Sequence, residues 1–145
     1  MVRLEILMVE DNRGDVVLLD EAFDRPGASH CIHVVCDGVE ALEFLRRQGA
    51  HAHAPRPDVI VLDLKLPRKG GREVLEDILP DPDLRCIPIV VLSSSESELE
   101  LVRDLHLPMG LCIAKPSTFA GYVEIAGIII SHGRRQAENA PSPAP

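Results

Sequence analysis

Five polar residues stand where four of the apolar runs of the chain end: Glu10, Asp11, Asp63, Ser93 and Lys115. If the carboxylates among them meet, a pair about 4 Å apart repels by about 4 kcal/mol at an effective dielectric constant of about 20. Such a cluster must take up protons or hold a cation, and carboxylate oxygens with open coordination positions suit Mg²⁺. A carboxylate nucleophile beside a metal ion, a lysine and a hydroxyl group describes in-line phosphoryl transfer to an aspartate.

Asp63 is the centre of this pattern. The segment VIVLDLKLP at 59–67 opens with a short run of β-branched and leucine residues between two prolines, which predicts a buried parallel strand. A carboxylate at the end of such a strand is costly unless a charged or hydrogen-bonding group meets it. In open α/β sheets this edge is where ligands bind, so we expect the other four residues to lie beside Asp63.

Strand and helix patterns alternate five times along the chain, which positions these residues. Strands are predicted over 4–9, 30–36, 59–62, 87–92 and 111–114, and helices over 15–23, 39–47, 72–79, 96–105 and from Phe119 to about His132. The alternation predicts an α/β fold: a five-stranded parallel doubly wound sheet in a flavodoxin-like three-layer sandwich. One domain over 1–132 is expected, and 133–145, with its prolines and no apolar periodicity, is expected to be a flexible C-terminal tail or dimer arm.

The composition narrows the class of partner. A net charge of −8 and a pI of about 5.2 argue against nucleic-acid binding, because phosphate contacts need a basic face, and favour a protein partner. The N-terminal apolar run contains Glu5, so it does not resemble a signal peptide, and no apolar run approaches the length of a membrane span. The four cysteines show no CxxC spacing, and we expect a soluble protein of the reducing cytoplasm.

Histidines and cysteines are concentrated in and after the second predicted strand: His30, Cys31, His33, Cys36, His51 and His53. Their spacings match no zinc-binding pattern. Histidines in strands and loops are most often plain surface groups, and we interpret these residues in that way.

Four segments resemble the CheY-like receiver domain of bacterial two-component response regulators. They are VEDNRGD at 9–15, VIVLDLKLPRKGG at 59–71, IPIVVLSSSE at 87–96 and CIAKPST at 112–118. The resemblance covers residues 3 to about 132. It implies that Asp63 is the phosphoacceptor and that Mg²⁺ is bound by Glu10, Asp11, Asp63 and the backbone carbonyl of Lys65. It also implies that Ser93 is the switch hydroxyl and that Lys115 contacts the phosphoryl group.

A narrower resemblance concerns RRQGAHAHAPRPD at 46–58 and KPST at 115–118, which are similar to the single-domain subgroup paired with phytochrome histidine kinases. It implies a stand-alone response regulator that receives its phosphoryl group from a sensor histidine kinase and signals through protein contacts. Such a protein is a Mg²⁺-assisted acceptor that dephosphorylates itself, not a turnover enzyme. We also expect a homodimer through the C-terminal face, because the last helix carries more apolar residues than one face can bury.

Three positions depart from the receiver pattern. Cys112 stands three residues before the lysine, where receivers carry Tyr or Phe. The chain therefore lacks the aromatic side chain that, in receivers, rotates into the space vacated by the switch hydroxyl. Lys65 replaces the Asn of the subgroup and places a cation two residues from the phosphoacceptor, where it is expected to alter the lifetime of the phosphoryl group. Gly70 replaces a frequent Asp, with no consequence that can be derived.

Two other functions compete with this interpretation. A degenerate receiver would act as an unphosphorylated scaffold, an alternative that Cys112 leaves open. A phosphatase of the haloacid-dehalogenase type also places a nucleophilic Asp after an apolar strand, but it needs a second Asp two residues on as the general acid. Lys65 occupies that place, which argues against the phosphatase.

Overall fold

A computed structural model describes residues 3–24, 29–105 and 110–139. Five parallel strands form one sheet: β1 (Leu4–Val9), β2 (His30–Val35), β3 (Val59–Asp63), β4 (Ile89–Ser93) and β5 (Leu111–Ala114). The strand order is β2-β1-β3-β4-β5. The predicted five-stranded doubly wound fold is therefore confirmed, and the strand order reverses direction between β1 and β3, where a ligand cleft is expected.

Helices alternate with the strands: α1 (Arg13–Phe23), α2 (Gly38–Arg46), α3 (Gly71–Ile78), α4 (Glu96–Arg103) and α5 (Phe119–Asn139). Polar side chains begin three of them. The side chain of Asn12 accepts the Asp15 N–H at the start of α1, and Asp37 and Ser95 do the same for α2 and α4. These caps fix where each helix leaves the carboxyl edge of the sheet.

The two faces of the sheet bury different helices. Alternate side chains of β1, such as Ile6 and Met8, pack with residues of α1 and α5, while Leu7 and Val9 point to the side of α2, α3 and α4. β3 and β4 are buried along their whole length, as a central parallel strand must be. The register pairs Val9 with Leu62 and Asp63 with Leu92, so the strand ends meet at one edge.

The predicted boundaries of most elements lie within two residues of the observed ones. Two differences concern β4 and the last helix. Ile87 and Pro88 precede β4 instead of belonging to it, and β4 ends on Ser93. The prediction that the last helix ends near His132 is wrong: α5 continues to Asn139, so 133–139 is helical. The remainder of the expected tail, 140–145, lies outside the described residues.

The apolar residues of α5 are mostly covered, contrary to the expected surplus. Tyr122, Ile125 and Ile129 are buried, and Phe119 and Val123 are half-buried against the same core. Over the described ranges, the large exposed hydrophobic residues belong to other elements, namely Val17, Val34 and Leu101. None of the helices in those ranges combines the length and the apolarity that crossing a bilayer requires.

Candidate functional site

The acidic residues predicted for the site meet at the carboxyl edge of β1 and β3. Glu10 follows β1 and Asp63 ends β3, and only 4% and 6% of these residues are exposed. Asp11 is next to them and exposed to solvent. They border a cleft of about 450 Å³ that Lys65, Lys115 and Tyr122 also line.

Lys115 supplies the positive charge of this cleft. Its Nζ lies 2.9 Å from Glu10 Oε2, 2.7 Å from Asp15 Oδ2 and 3.3 Å from Asp63 Oδ2. Burial alone would lower the pKa of Lys115, but the hydrogen bonds to Asp15 and Glu10 and the charge of Asp63 outweigh it and raise that pKa above its ordinary value. Lys115 therefore stays charged and offsets part of the negative charge of the carboxylates around it.

Burial also perturbs Glu10, one of the acids of this cleft. Burial raises the pKa of Glu10 from 4.5 to about 7, although hydrogen bonds from Lys115 and from the Asn12 N–H oppose the shift, and nearby Asp63 adds to it. A divalent cation would reverse this effect, because binding requires the deprotonated carboxylate. Proton and metal ion therefore compete for Glu10.

The donor set fits a hard divalent cation. Oxygen atoms of Glu10, Asp11 and Asp63 all lie within 4.8 Å of one another. Carboxylate oxygens are the ligands that Mg²⁺ and Mn²⁺ accept, and three of them leave coordination positions for water or a phosphoryl oxygen. The backbone N–H of Lys65 donates to Asp63 Oδ1 at 3.3 Å, which keeps the loop after β3 beside the cluster.

Ser93 lies at the same sheet edge, and its hydroxyl is bonded to residues of the β4–α4 segment. The residue is fully buried, its Oγ accepts the Ser95 N–H at 3.1 Å, and it donates to Glu98 Oε2 at 3.4 Å. Its neighbour Ser94 lines the cleft instead. The structure thus brings the three acids and Lys115 together, and couples Ser93 to the first turn of α4.

Sequence reasoning missed two members of the cleft, Asp15 and Tyr122. The Asp15 carboxylate accepts a hydrogen bond from Lys115 and another, at 3.5 Å, from the Tyr122 hydroxyl. Asn12 supplies the cap, which leaves the Asp15 side chain free to face the lysine. The signal was its place in the first turn of α1, directly after the loop that carries Asp11.

At position 112, where receivers carry Tyr or Phe, this chain has a cysteine. Cys112 is half-buried on β5 and packs against the core on the side of α2, α3 and α4. Burial raises the pKa of its thiol, so it remains a neutral, small side chain. A cysteine cannot fill the space that a rotating tyrosine would occupy.

Comparison with known proteins gives the family. The family model for the response regulator receiver domain matches residues 6–126. The chain belongs to the response regulator receiver family. Response regulator Rcp1 of Synechocystis sp. is 40% identical over 110 residues, which are 76% of this chain and 75% of Rcp1.

Two solved receiver structures cover nearly the whole chain. The phosphorylated cyanobacterial phytochrome response regulator RcpA is 38% identical, with a TM-score of 0.80 over 99% of this chain and 100% of RcpA. The Mn²⁺-bound form of Rcp1 is 35% identical, with a TM-score of 0.79 over 97% of this chain and 99% of Rcp1. Receiver domains bind a divalent metal and interact with histidine kinases, and this receiver is closely related to those that serve phytochromes.

Proposed function

We propose that this receiver is a stand-alone response regulator of a phosphorelay, with Asp63 as its phosphoacceptor. The observation that carries the proposal is the contact of Lys115 with both Asp63 and Glu10 at the β1 and β3 edge. The relatives that cover nearly all of the chain include a phosphorylated phytochrome response regulator, which supports a phytochrome-type sensor histidine kinase as the donor.

In the transfer step, an Asp63 carboxylate oxygen attacks the phosphorus of a kinase phosphohistidine. The O–P bond forms as the N–P bond breaks, and the leaving imidazole nitrogen takes up a proton. Mg²⁺ held by Glu10, Asp11, Asp63 and the Lys65 carbonyl would neutralise charge on the phosphoryl oxygens when bound. Lys115 would contact the new phosphoryl group as a point cation. Before the transfer, its hydrogen bond to Asp63 orients that carboxylate.

The response would pass through Ser93 to α4. A phosphoryl group on Asp63 adds negative charge and acceptor oxygens beside Ser93. The Ser93 hydroxyl would exchange its bond to Glu98 for one to the phosphoryl group, which releases the first turn of α4. This route needs no aromatic at position 112. The output would be a changed contact with a partner protein. The protein would act in the cytoplasm as a regulator and would not be a turnover enzyme.

Acceptor identity is tested with acetyl phosphate and Mg²⁺ by intact-protein mass spectrometry. The parent is expected to gain one phosphoryl mass that hydroxylamine removes, as an acyl phosphate requires. Asp63→Asn is expected to lose that gain, whereas Asp58→Asn, which changes a half-buried acid at the opposite end of the sheet, is expected to keep it. A phosphoryl mass that survives Asp63→Asn places the acceptor elsewhere, and none in the parent favours the unphosphorylated scaffold.

We also propose a homodimer through the face that carries α5. Support comes from Val17, which is 54% exposed on α1, the helix that packs against α5. Sedimentation is expected to show a dimer at tens of micromolar, where weak interfaces begin to form. Val17→Glu is expected to shift the monomer–dimer equilibrium toward the monomer. Leu101→Glu, which changes a similarly exposed residue on α4, is expected to leave the equilibrium unchanged. A monomeric parent at that concentration refutes the dimer.

A further inference from the structure

Three side chains of different chemistry meet on β1 and β2, at the end of the sheet away from the phosphoacceptor. The parallel register places Glu5 opposite Cys31, and His33 follows two residues along the same face of β2. One donor atom from each, a carboxylate oxygen, a thiol sulfur and an imidazole nitrogen, lies within 4.8 Å of the other two. All three residues are half-buried, so the group is partly shielded yet open to an ion from solvent.

Neighbouring groups hold Glu5 and His33 in place. The His33 Nε2 atom lies 2.6 Å from Glu5 Oε2, and the His33 ring packs on Phe44 with ring centroids 5.4 Å apart. The backbone N–H of Glu5 donates to Asp58 Oδ2 at 2.9 Å. Arg3 contacts the other Glu5 oxygen, Oε1, at 3.2 Å, so Oε2 is the oxygen that faces His33. Supporting contacts therefore keep the Glu5 and His33 donors near the Cys31 thiol, and a small separation of Glu5 from His33 completes the ligand spacing.

The donor types select the ion. Thiolate and imidazole ligands suit Zn²⁺ and related transition metals, whereas Mg²⁺ demands oxygen. Ligands with metal bonds of about 2.0 to 2.3 Å in a tetrahedron lie about 3.3 to 3.7 Å apart, so His33 and Glu5 need to separate by about 1 Å. Three protein ligands leave a fourth position for water or another ligand.

We propose that Glu5, Cys31 and His33 form a binding site for a transition-metal ion of the Zn²⁺ class. The site is separate from the acidic cluster, because Glu5 and Glu10 stand at opposite ends of β1, about 16 Å apart at the rise of an extended strand. It does not depend on the phosphorelay. The sequence concealed it because Glu5 is far from the two β2 residues along the chain and joins them only through strand pairing.

Cobalt provides the probe, because thiolate-bound Co²⁺ has a near-ultraviolet charge-transfer band that oxygen ligands do not produce. The reduced, full-length protein is titrated with Co²⁺ in excess Mg²⁺, which occupies the acidic cluster. We expect the band to develop fully with one equivalent of Co²⁺ and to disappear when Zn²⁺ displaces the Co²⁺. Asp63→Asn is expected to leave the band unchanged, since that variant alters only the acidic cluster.

Cysteine variants assign the sulfur. Cys31→Ser is expected to abolish the band, while Cys36→Ser and Cys86→Ser, which change exposed cysteines, are expected to retain it. His33→Gln is expected to weaken Co²⁺ binding about tenfold or more, since loss of even an outer-shell partner has an effect of that size. Far-ultraviolet circular dichroism verifies that each variant is folded. No band in the parent, or a band that survives Cys31→Ser in folded protein, overturns the proposal.

Discussion

Replacing Lys115 with methionine is expected to lower the free energy of unfolding by about 3 to 5 kcal/mol at pH 8 without divalent cations, the usual cost of removing one partner of a buried ion pair. The Lys115 side chain is 13% exposed and contacts three carboxylates, of which those of Glu10 and Asp63 are 4% and 7% exposed. Methionine keeps the length of the side chain and removes its charge. The acids would then repel one another with no cation between them.

The loss is expected to depend on pH because Glu10 titrates near neutrality. In the parent, burial raises the pKa of Glu10 from 4.5 to about 7, so between these values the folded protein binds more protons than the unfolded chain. Stability therefore falls as the pH rises through that range. Without Lys115 the pKa of Glu10 is expected to rise further, so the variant loses more stability than the parent between pH 5 and pH 8.

Urea unfolding of the parent and of Lys115→Met at pH 5 and pH 8, with and without Mg²⁺, measures these differences in the free energy of unfolding. Mg²⁺ is expected to stabilise the variant more than the parent, because the ion replaces the missing charge on the same carboxylates. Lys65→Met is the matched control: it removes an exposed lysine of the same cleft and is expected to change stability by less than about 1 kcal/mol. An equal deficit at both pH values would contradict the electrostatic explanation.

Much of the cleft could be predicted because it is encoded at strand ends. Asp63 is the last residue of β3, and parallel strands place their carboxyl ends at one edge of the sheet, so the spacing along the chain brings Asp63 to Glu10 and Lys115. Side-chain direction is not encoded in this way. The orientation of Ser93 depends on the position of Glu98 on α4, and the role of Asp15 depends on the helix cap made by Asn12.

The last helix and the β1–β2 cluster show two other limits. Gly133 argues for a helix end on propensity, but it is buried beside Leu4 and Val59, and a small residue lets α5 pass there and continue to Asn139. In the sequence, Glu5 is a charged residue inside an apolar strand pattern. In the structure, the pairing of β1 with β2 places Glu5 beside His33. In both cases a contact between distant segments overrides a local signal.

Gly71→Ala is expected to destabilise the protein by about 1 to 3 kcal/mol or more and to reduce phosphorylation by acetyl phosphate. A Cβ atom at residue 71 would lie 2.7 Å from the Leu64 Cα and closer still to the Asp63 carbonyl oxygen. Both neighbours are backbone, so the clash is relieved only by moving α3 or the end of β3, and forced insertions of this kind cost about 1 to 3 kcal/mol or more. Moving the end of β3 also displaces Asp63, the proposed phosphoacceptor, relative to Lys115.

Gly70→Ala separates this steric effect from the general cost of losing a glycine. A Cβ atom at residue 70 meets nothing closer than 3.6 Å, and its φ of −72° suits alanine. Its loss of stability is expected to stay below about 1 kcal/mol, the scale of an N-cap exchange. Urea unfolding and the phosphoryl mass gain are measured on both variants. Equal effects at residues 70 and 71 would contradict the view that Gly71 alone lets α3 approach the end of β3 and hold Asp63 in the cleft.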